Sequence, residues 1–344
     1  MPLEIVRNDI TRMEVDVIVN AANSALQEGG GVCGAIFSAS GAGKLQAACN
    51  EIGSCSVGQA VMTEGFQLKA KKIIHTVGPI WHGGSSNEEH LLSNCYKNSL
   101  LLAVEHGYES IAFPLISTGI YGYPKEQAIQ IAISTISSFL MDHEIHVYIV
   151  VYDKDAFGLT KKLFPKIDQY INEHYVEKQD THFLLDRRNS NYEFEQVFEL
   201  REEQVLESQV SSEESLSKNL KSRSLEAVLN QLEDSFTVML FRLIDEKEKT
   251  DVETYKKANI DRRHFSKIRN SIDYTPQKKT VIAFAIALEL NLDETIDLLG
   301  RAGYALSRSN KFDVIIEYFI EEKNYNIHEI NEVLFSFDQI ILGA

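Results

Sequence analysis

Four short, almost continuously apolar runs, each separated from the next by a helical pattern, constrain the fold of this 344-residue chain most. A strand with one face in water alternates apolar and polar residues, so near-continuous Val and Ile runs indicate strands buried on both faces. Such strands belong to parallel sheets covered by helices. The runs are VDVIVNAA (15–22), KKIIHTV (71–77), ESIAFPLI (109–116) and IHVYIVVYD (145–153).

Helical periodicity fills the gaps between these runs. The alternation of strand and helix predicts an α/β three-layer sandwich over residues 1–175. The predicted helices cover 32–40, 44–51, 89–106, 125–141 and 155–173.

The residue composition changes after residue 175. Residues 176–224 are rich in Glu, Gln and Ser and contain neither Gly nor Pro, which predicts a linker that is partly helical around 193–208. From 225 to 344 the apolar residues recur at helical spacing, so a second, all-α domain is expected there.

Composition limits the classes of function. A formal net charge of −16 does not attract nucleic acid by bulk charge, so any such contact needs a local basic patch. Cys33, Cys49, Cys55 and Cys95 form no CxxC pair and no zinc-like spacing, which predicts free thiols in a reducing compartment and no metal site. No leader or membrane-length apolar run is visible, and the expectation is a cytoplasmic protein without membrane contact or cofactor.

Two glycine-bearing turns follow buried strands. In NAANSALQEGGGVCGAIFSASG (20–41), three glycines precede a helical run, where bare backbone N–H groups and a helix N-terminus favour an anion. A flexible loop is the alternative. In FPLISTGIYGYP (113–124), small residues form a second turn, and Tyr121 and Tyr123 offer flat faces for a sugar or base. Facing each other at a sheet edge, two such loops suit a diphosphate between two sugars.

Five segments together resemble the macrodomain family, closest to its MacroD-type branch, in order and spacing over residues 1–175. They are NDIT (8–11), VDVIVNAAN (15–23), GGGVCGAIF (29–37), IIHTVGPIW (73–81) and ISTGIYGYP (116–124). The resemblance implies an ADP-ribose pocket and a hydrolase that removes mono-ADP-ribose from modified proteins or deacetylates O-acetyl-ADP-ribose.

The resemblance also implies roles for individual residues. Asp9 would accept from the adenine amino group, Tyr152 would cover the adenine face, and Asn23 would hold the distal ribose. The implied ligand-binding residues are Asp9, Ile10, Ala22, Gly30, Gly31, Val32, Ser117, Thr118, Gly119, Ile120, Tyr121 and Tyr152. Each of these residues also has an alternative, purely structural role: Asp9 as a helix cap, Tyr152 as a core residue and Asn23 as a turn former.

The glycine loop departs from the family pattern at two positions. Many MacroD-type hydrolases carry GVDG…IH, in which the Asp positions or activates water, whereas this chain has Cys33 and Phe37 there. The Asp-based mechanism is therefore not available. A substrate phosphate oxygen would hold the water instead, with Asn23 and Gly119 fixing the geometry. Cys33 is either a nucleophile, with His75 as the nearest base by motif, or a small residue that leaves room for ligand.

The C-terminal half contains one basic patch. VETYKKA, a turn at Asn259, DRRHFSKIRN with Asp261 as a cap, a turn around Pro276 and a helix over 277–289 resemble a phage-repressor helix-turn-helix, whose second helix enters the major groove. The candidate nucleic-acid residues are Arg262, Arg263, Lys267 and Arg269. The alternative is a helical docking domain with these residues as a solvated face.

Three functions follow from these patterns. The first is the hydrolase, acting on ADP-ribose or an ADP-ribosylated protein. The second is a non-catalytic reader of ADP-ribose, which the missing Asp and His favour. The third is a regulator or toxin-neutralising protein whose C-terminal domain contacts DNA or a protein partner, which only the basic patch favours.

Overall fold

The computed structural model describes residues 2–152, 164–174, 234–271 and 274–343. Its first half is built on one six-stranded sheet, ordered β1-β6-β5-β2-β4-β3, in which β3 alone runs antiparallel to its neighbour β4. The four predicted strands are present as β2, β4, β5 and β6. The strands are β1 (Leu3–Arg7), β2 (Val17–Ala21), β3 (Ala60–Glu64), β4 (Lys72–Thr76), β5 (Ser110–Pro114) and β6 (His146–Val151).

Helices cover both faces of the sheet, as the continuous apolar runs predict. Val17 and Val19 point into one core cluster and Ile18, between them, into the other, because successive side chains of a strand alternate faces. The α/β three-layer prediction is thus confirmed. The helices of this half are α1 (Gly31–Ser40), α2 (Ala42–Ile52), α3 (Glu88–Glu105) and α4 (Lys125–Asp142).

The second half is helical, also as predicted. Its helices share one buried apolar cluster and begin at clear caps: Asp261 accepts from the Arg263 backbone N–H, and Asn291 forms a capping box with Glu294. The helices are α6 (Phe236–Glu246), α7 (Asp251–Lys257), α8 (Arg262–Arg269), α9 (Lys278–Ala287), α10 (Leu292–Arg301), α11 (Lys311–Glu321) and α12 (Ile327–Ser336).

Helix α5 (Phe164–His174) packs with the helical half. Ile167 and Ile171 lie in that half's core cluster, and the Tyr170 hydroxyl donates to Glu321 over 2.8 Å. The predicted first domain extends to residue 175, so this helix lies within its sequence range but contacts the second core. The domain boundaries remain predictions, and the predicted linker, 176–224, lies outside the described residues.

The two halves meet along the outer edge of β1, where no strand of the described sheet pairs with it, and along α4. The Asn259 side chain accepts from the Leu3 N–H at 2.7 Å and donates to the Leu3 carbonyl at 2.8 Å. Nearby, the Tyr255 hydroxyl donates to Glu144 at 3.0 Å, and Lys256 donates to the Met141 carbonyl. Asn259 therefore satisfies backbone groups that an edge strand leaves open.

Within the ranges that the structure describes, no helix is long and apolar enough to cross a membrane. The same residues contain no group of three or more His, Cys, Asp or Glu side chains arranged to hold a metal ion. The four cysteines are buried and free.

Candidate functional site

A cavity of about 200 Å³ lies at the carboxyl ends of β2 and β5, where open α/β sheets bind ligands. Both glycine-bearing turns line it, and they face each other across it. The lining residues are Ala21, Ala22, Asn23, Gly29, Gly30, Gly31, Val32, Cys33, Gly78, Leu115, Ile116, Ser117, Gly119, Ile120 and Tyr121.

Four of the predicted ligand-binding residues lie outside this lining: Asp9, Ile10, Thr118 and Tyr152. Asp9 and Tyr152 are nevertheless neighbours, because the Asn8 N–H donates to the Val151 carbonyl at 3.2 Å and each residue follows one of these partners. Tyr152 is 84% exposed, so it is not a core residue.

Asp9 caps the short turn Ile10–Arg12, as its alternative interpretation has it. One carboxylate oxygen accepts from the Thr11 N–H at 2.9 Å and from the Thr11 hydroxyl at 2.7 Å. Ile10 is buried in the core beneath it. The second Asp9 oxygen lies 3.8 Å from Arg12, on the solvent side.

Helix α1 opens into the cavity with a bare N-terminus. Gly30 is the N-cap, and no side chain of the described residues caps this end. Gly31 has φ of +61°, and a Cβ on Gly34 would lie 2.5 Å from the Gly29 carbonyl oxygen, so both positions require glycine. The unpaired N–H groups of the first turn therefore point at the cavity with a partial positive charge.

The opposite wall is the turn after β5. Ser117 has φ of +65°, and within the described residues its buried hydroxyl has no hydrogen-bond partner. A Cβ on Gly78 would overlap this hydroxyl and lie 2.7 Å from Ile116, so this wall fits only against a glycine. Ile120 is 86% exposed and its Cδ1 reaches to 3.7 Å from where a Gly30 Cβ would stand. The two walls thus approach each other at the cavity mouth.

Asn23 lines the cavity and closes its own loop. Its Nδ2 donates to the Gln27 carbonyl at 2.7 Å, and its Oδ1 accepts from the Gln27 N–H at 3.1 Å. The turn-forming interpretation is therefore present in the structure. These two hydrogen bonds leave one amide hydrogen and one lone pair of the Asn23 side chain for a ligand.

Cys33 lies in the first turn of α1, buried against Asn20. Asn20 Nδ2 donates to Cys33 Sγ at 3.6 Å and stands 3.1 Å from His75 Nδ1. Burial lowers the pKa of His75 to about 4. His75, the nearest base by motif, thus contacts the Asn20 amide, and the two alternatives for Cys33 remain predictions. Gly119, the remaining catalytic candidate, lines the cavity without a close neighbour at its Cβ position.

Phe37, which stands where the family pattern has His, is fully buried in the core under α1 and does not line the cavity. The lining residues that the sequence did not single out are Ala21, Gly29, Gly78, Leu115 and Ile116. Three of them adjoin predicted residues, and Leu115 lies two positions before Ser117. Gly78 is distant from them in sequence, and only its place in the TVGP turn after β4 pointed to the cavity.

The basic residues of α8 lie beside acidic ones. Arg263 stands 3.9 Å from Glu109, and a shared cleft between the two halves is lined by Glu109, Glu144, Asp261, Arg262, Arg263 and Ser266. Arg269 pairs with Asp251, and Lys267 lies over the Tyr274 ring at 5.6 Å.

Comparison with known proteins places the first half in a family. A family model for the macro domain matches residues 19–132. An O-acetyl-ADP-ribose deacetylase of Cronobacter sakazakii is 50% identical over 173 residues, which are 48% of this chain and 96% of that protein. The chain belongs to the macrodomain family.

Two further relatives have similar coverage. A macro domain-containing protein of Chlorobaculum tepidum is 56% identical over 46% of this chain and 93% of its own length. A solved structure of the Oceanobacillus iheyensis macrodomain with ADP is 42% identical, covers 48% of this chain and 92% of that chain, and superposes with a TM-score of 0.45.

Proposed function

We propose that the macrodomain half binds ADP-ribose and hydrolyses its derivatives: it deacetylates O-acetyl-ADP-ribose, removes mono-ADP-ribose from modified proteins, or does both. The observation that carries this proposal is the uncapped N-terminus of α1 facing the Ser117–Tyr121 turn across one cavity. It supplies backbone donors to a diphosphate, so an acidic chain needs no lysine cluster to bind this anion. The relatives named as O-acetyl-ADP-ribose deacetylases support the choice of substrate.

The remaining residues fit the two ends of such a ligand. Exposed Tyr152 and the outer oxygen of Asp9 lie together, where an adenine ring finds a flat face and an acceptor for its amino group. Asn23 and Tyr121 line the cavity, and in this proposal they contact the distal ribose. The buried Ser117 hydroxyl has an unused hydrogen, which a phosphate oxygen would accept.

In the deacetylation, a water attacks the acetyl carbonyl, the ester C–O bond breaks, and acetate and ADP-ribose result. Cys33 replaces the family's Asp, so we assign the water to a phosphate oxygen of the substrate, which accepts its proton. Asn23 and Gly119 orient the ester, and the proton ends on the leaving ribose oxygen. Cys33 is assigned no covalent role, because its nearest polar neighbour is the amide of Asn20.

A single-turnover assay tests this function. Wild type, Asn23→Ala, Cys33→Ala and the control Asn98→Ala receive O-acetyl-ADP-ribose or a mono-ADP-ribosylated protein, and free ADP-ribose is followed. Asn98 donates one amide hydrogen bond to Gly58 in the same half, away from the cavity. We expect turnover by wild type and control, a modest loss in Cys33→Ala and a large loss in Asn23→Ala. Tight ADP-ribose binding without release from either substrate would identify a reader instead.

For the helical half, we propose docking on the macrodomain as its role, rather than binding DNA. The N-terminal end of α8, which a helix-turn-helix protein directs at base edges, lies beside Glu109 and Glu144. Two carboxylates at that position repel a phosphate backbone. The contacts of Asn259, Tyr255 and Lys256 with the macrodomain hold the half in this orientation.

Binding to a duplex of random sequence, titrated at two salt concentrations, tests the docking role. We expect no duplex binding of the kind that weakens as the salt concentration rises. We also expect wild type and a variant with Arg262→Ala and Arg263→Ala to give the same titration. Salt-dependent binding that the double variant loses would establish the nucleic-acid function in its place.

A further inference from the structure

A chain of buried polar side chains connects the interior of the sheet with Asn23. Asn20 on β2 and His75 on β4 occupy the same register position, so their side chains share one face of the sheet. Both are fully buried. Beyond His75, Thr63 on β3 has its hydroxyl 2.9 Å from His75 Nε2.

The orientation of the Asn20 amide determines the tautomer that we infer for His75. The Asn20 amide presents Nδ2, a donor, to His75 Nδ1, so Nδ1 is the acceptor. The ring hydrogen then sits on Nε2 and is donated to Thr63 Oγ1. Burial lowers the pKa of His75, which keeps the ring neutral near pH 7. Besides Thr63, Cys49 Sγ approaches Nε2, at 4.0 Å.

The second amide hydrogen of Asn20 continues the chain toward the cavity. It is directed at Cys33 Sγ, and a sulfur that accepts turns its own hydrogen away. Cys33 Sγ lies 4.0 Å from the Gln27 carbonyl, and the same carbonyl accepts from Asn23 Nδ2 at 2.7 Å. The path from His75 therefore ends on the residue that faces the ligand.

Asn20 is held in this place against a local penalty. Its Oδ1 is buried and has no partner among the described residues. A buried amide oxygen without a hydrogen bond destabilises a fold, and such a group calls for an explanation beyond packing. The orientation of Cys33 and of the Gln27 carbonyl supplies one.

We infer that Asn20 is a positioning residue: oriented by His75, it holds Cys33 and the Gln27 carbonyl, and thereby fixes the amide of Asn23 at the cavity. Cys33 serves as a link in this chain. The inference rests on the proposed function for its kinetic consequence, and on the hydrogen bonds alone for the tautomer of His75.

A double-mutant cycle tests the path. Asn20→Leu keeps the volume of the side chain and removes both donors, and we expect about a 10-fold fall in kcat with little change in KM. In an Asn23→Ala background the same substitution should change the residual rate less than 2-fold, because it acts through Asn23. An equal loss in both backgrounds overturns the inference, as does a loss of the same size in the matched amide variant Asn98→Ala.

Two readouts separate this inference from the proposed function. Where wild type binds ADP-ribose without turnover, the same cycle is measured on the Kd of ADP-ribose. The ¹⁵N chemical shifts of His75 in the wild-type chain need neither turnover nor a folded variant. We expect a protonated Nε2 and an unprotonated Nδ1 at pH 7, and a hydrogen on Nδ1 refutes the assignment whatever the substrate.

Discussion

Asn259 and Leu3, 256 residues apart in the chain, are joined by two hydrogen bonds in which one side-chain amide replaces a neighbouring strand. Oδ1 accepts from the Leu3 N–H and Nδ2 donates to the Leu3 carbonyl. Asn259 adopts φ of +55° to reach them and is 3% exposed. Asn tolerates this left-handed conformation better than most residues, so one side chain serves both the turn and the sheet edge.

Asn259→Gly should lower the free energy of unfolding by about 2–4 kcal/mol, since glycine keeps the left-handed turn and leaves two buried backbone groups unpaired. Urea unfolding measures the change, and Asn270→Gly, at an exposed helix end, is the control. A decrease no larger than that of the control would show that water replaces the Asn259 amide.

Gly78→Ala should damage the cavity wall, because the new methyl group overlaps Ser117 and crowds Ile116. We expect a loss of about 1–3 kcal/mol in stability and weaker ADP-ribose binding. Gly43→Ala is the matched control: Gly43 lies in α2 with open space at its Cβ position, and this substitution should stabilise by roughly 0.5–1 kcal/mol. Unchanged binding in Gly78→Ala would mean that the wall moves freely.

Tyr152→Ala should weaken ADP-ribose binding by roughly 1–2 kcal/mol, about 5- to 30-fold in Kd, through lost stacking on the base. The side chain is 84% exposed, so the melting temperature should stay the same. Calorimetric titration measures the affinity, and Tyr152→Phe, which retains the ring, should bind as wild type does. Equal affinity of all three proteins would remove Tyr152 from the adenine site.

Stability should depend on pH through Glu332 in α12. Burial, and then the nearby Glu329, raise the pKa of Glu332 from 4.5 to about 7. Between these values the folded chain holds more protons than the unfolded chain, so the stabilising contribution is complete below pH 4.5 and is lost as pH rises through 7.

Glu332→Gln removes this titration. Relative to wild type, the variant should gain on the order of 2 kcal/mol at pH 8 and little at pH 4.5. Urea unfolding at the two pH values measures the gain, and Glu322→Gln, at an exposed position, serves as control. A gain of the same size at both pH values would mean that Glu332 does not titrate in this range.

The sequence predicted what depends on local pattern. Near-continuous apolar runs marked β2, β4, β5 and β6, whereas β1 and β3 lie at the two edges of the sheet, where LEIVR and AVMTE carry a weaker apolar signal. In the helical half, Asp261 was recognisable as a cap because the residue that it satisfies, Arg263, lies two positions away.

What the sequence did not reveal depends on register and on distant contacts. That Asn20 faces His75 follows from the pairing of β2 with β4, which neither run specifies alone. This pairing also brings the Asn20 amide into contact with both His75 and Cys33, which the motif alone does not indicate. No local sequence pattern indicates the two hydrogen bonds between Asn259 and Leu3.

Helix α5 directly follows the sheet in the described sequence, but it packs in the core of the helical half. The chain leaves the sheet at β6 and contributes α5 to the second core, and the next described residue of that core is Phe236. A fragment ending at residue 175 would therefore carry Ile167 and Ile171 stripped of their partners, whereas one ending near residue 152 would not. A chain divided between α5 and α6 would yield two polypeptides that still copurify, because α5 on the first would complete the core of the second.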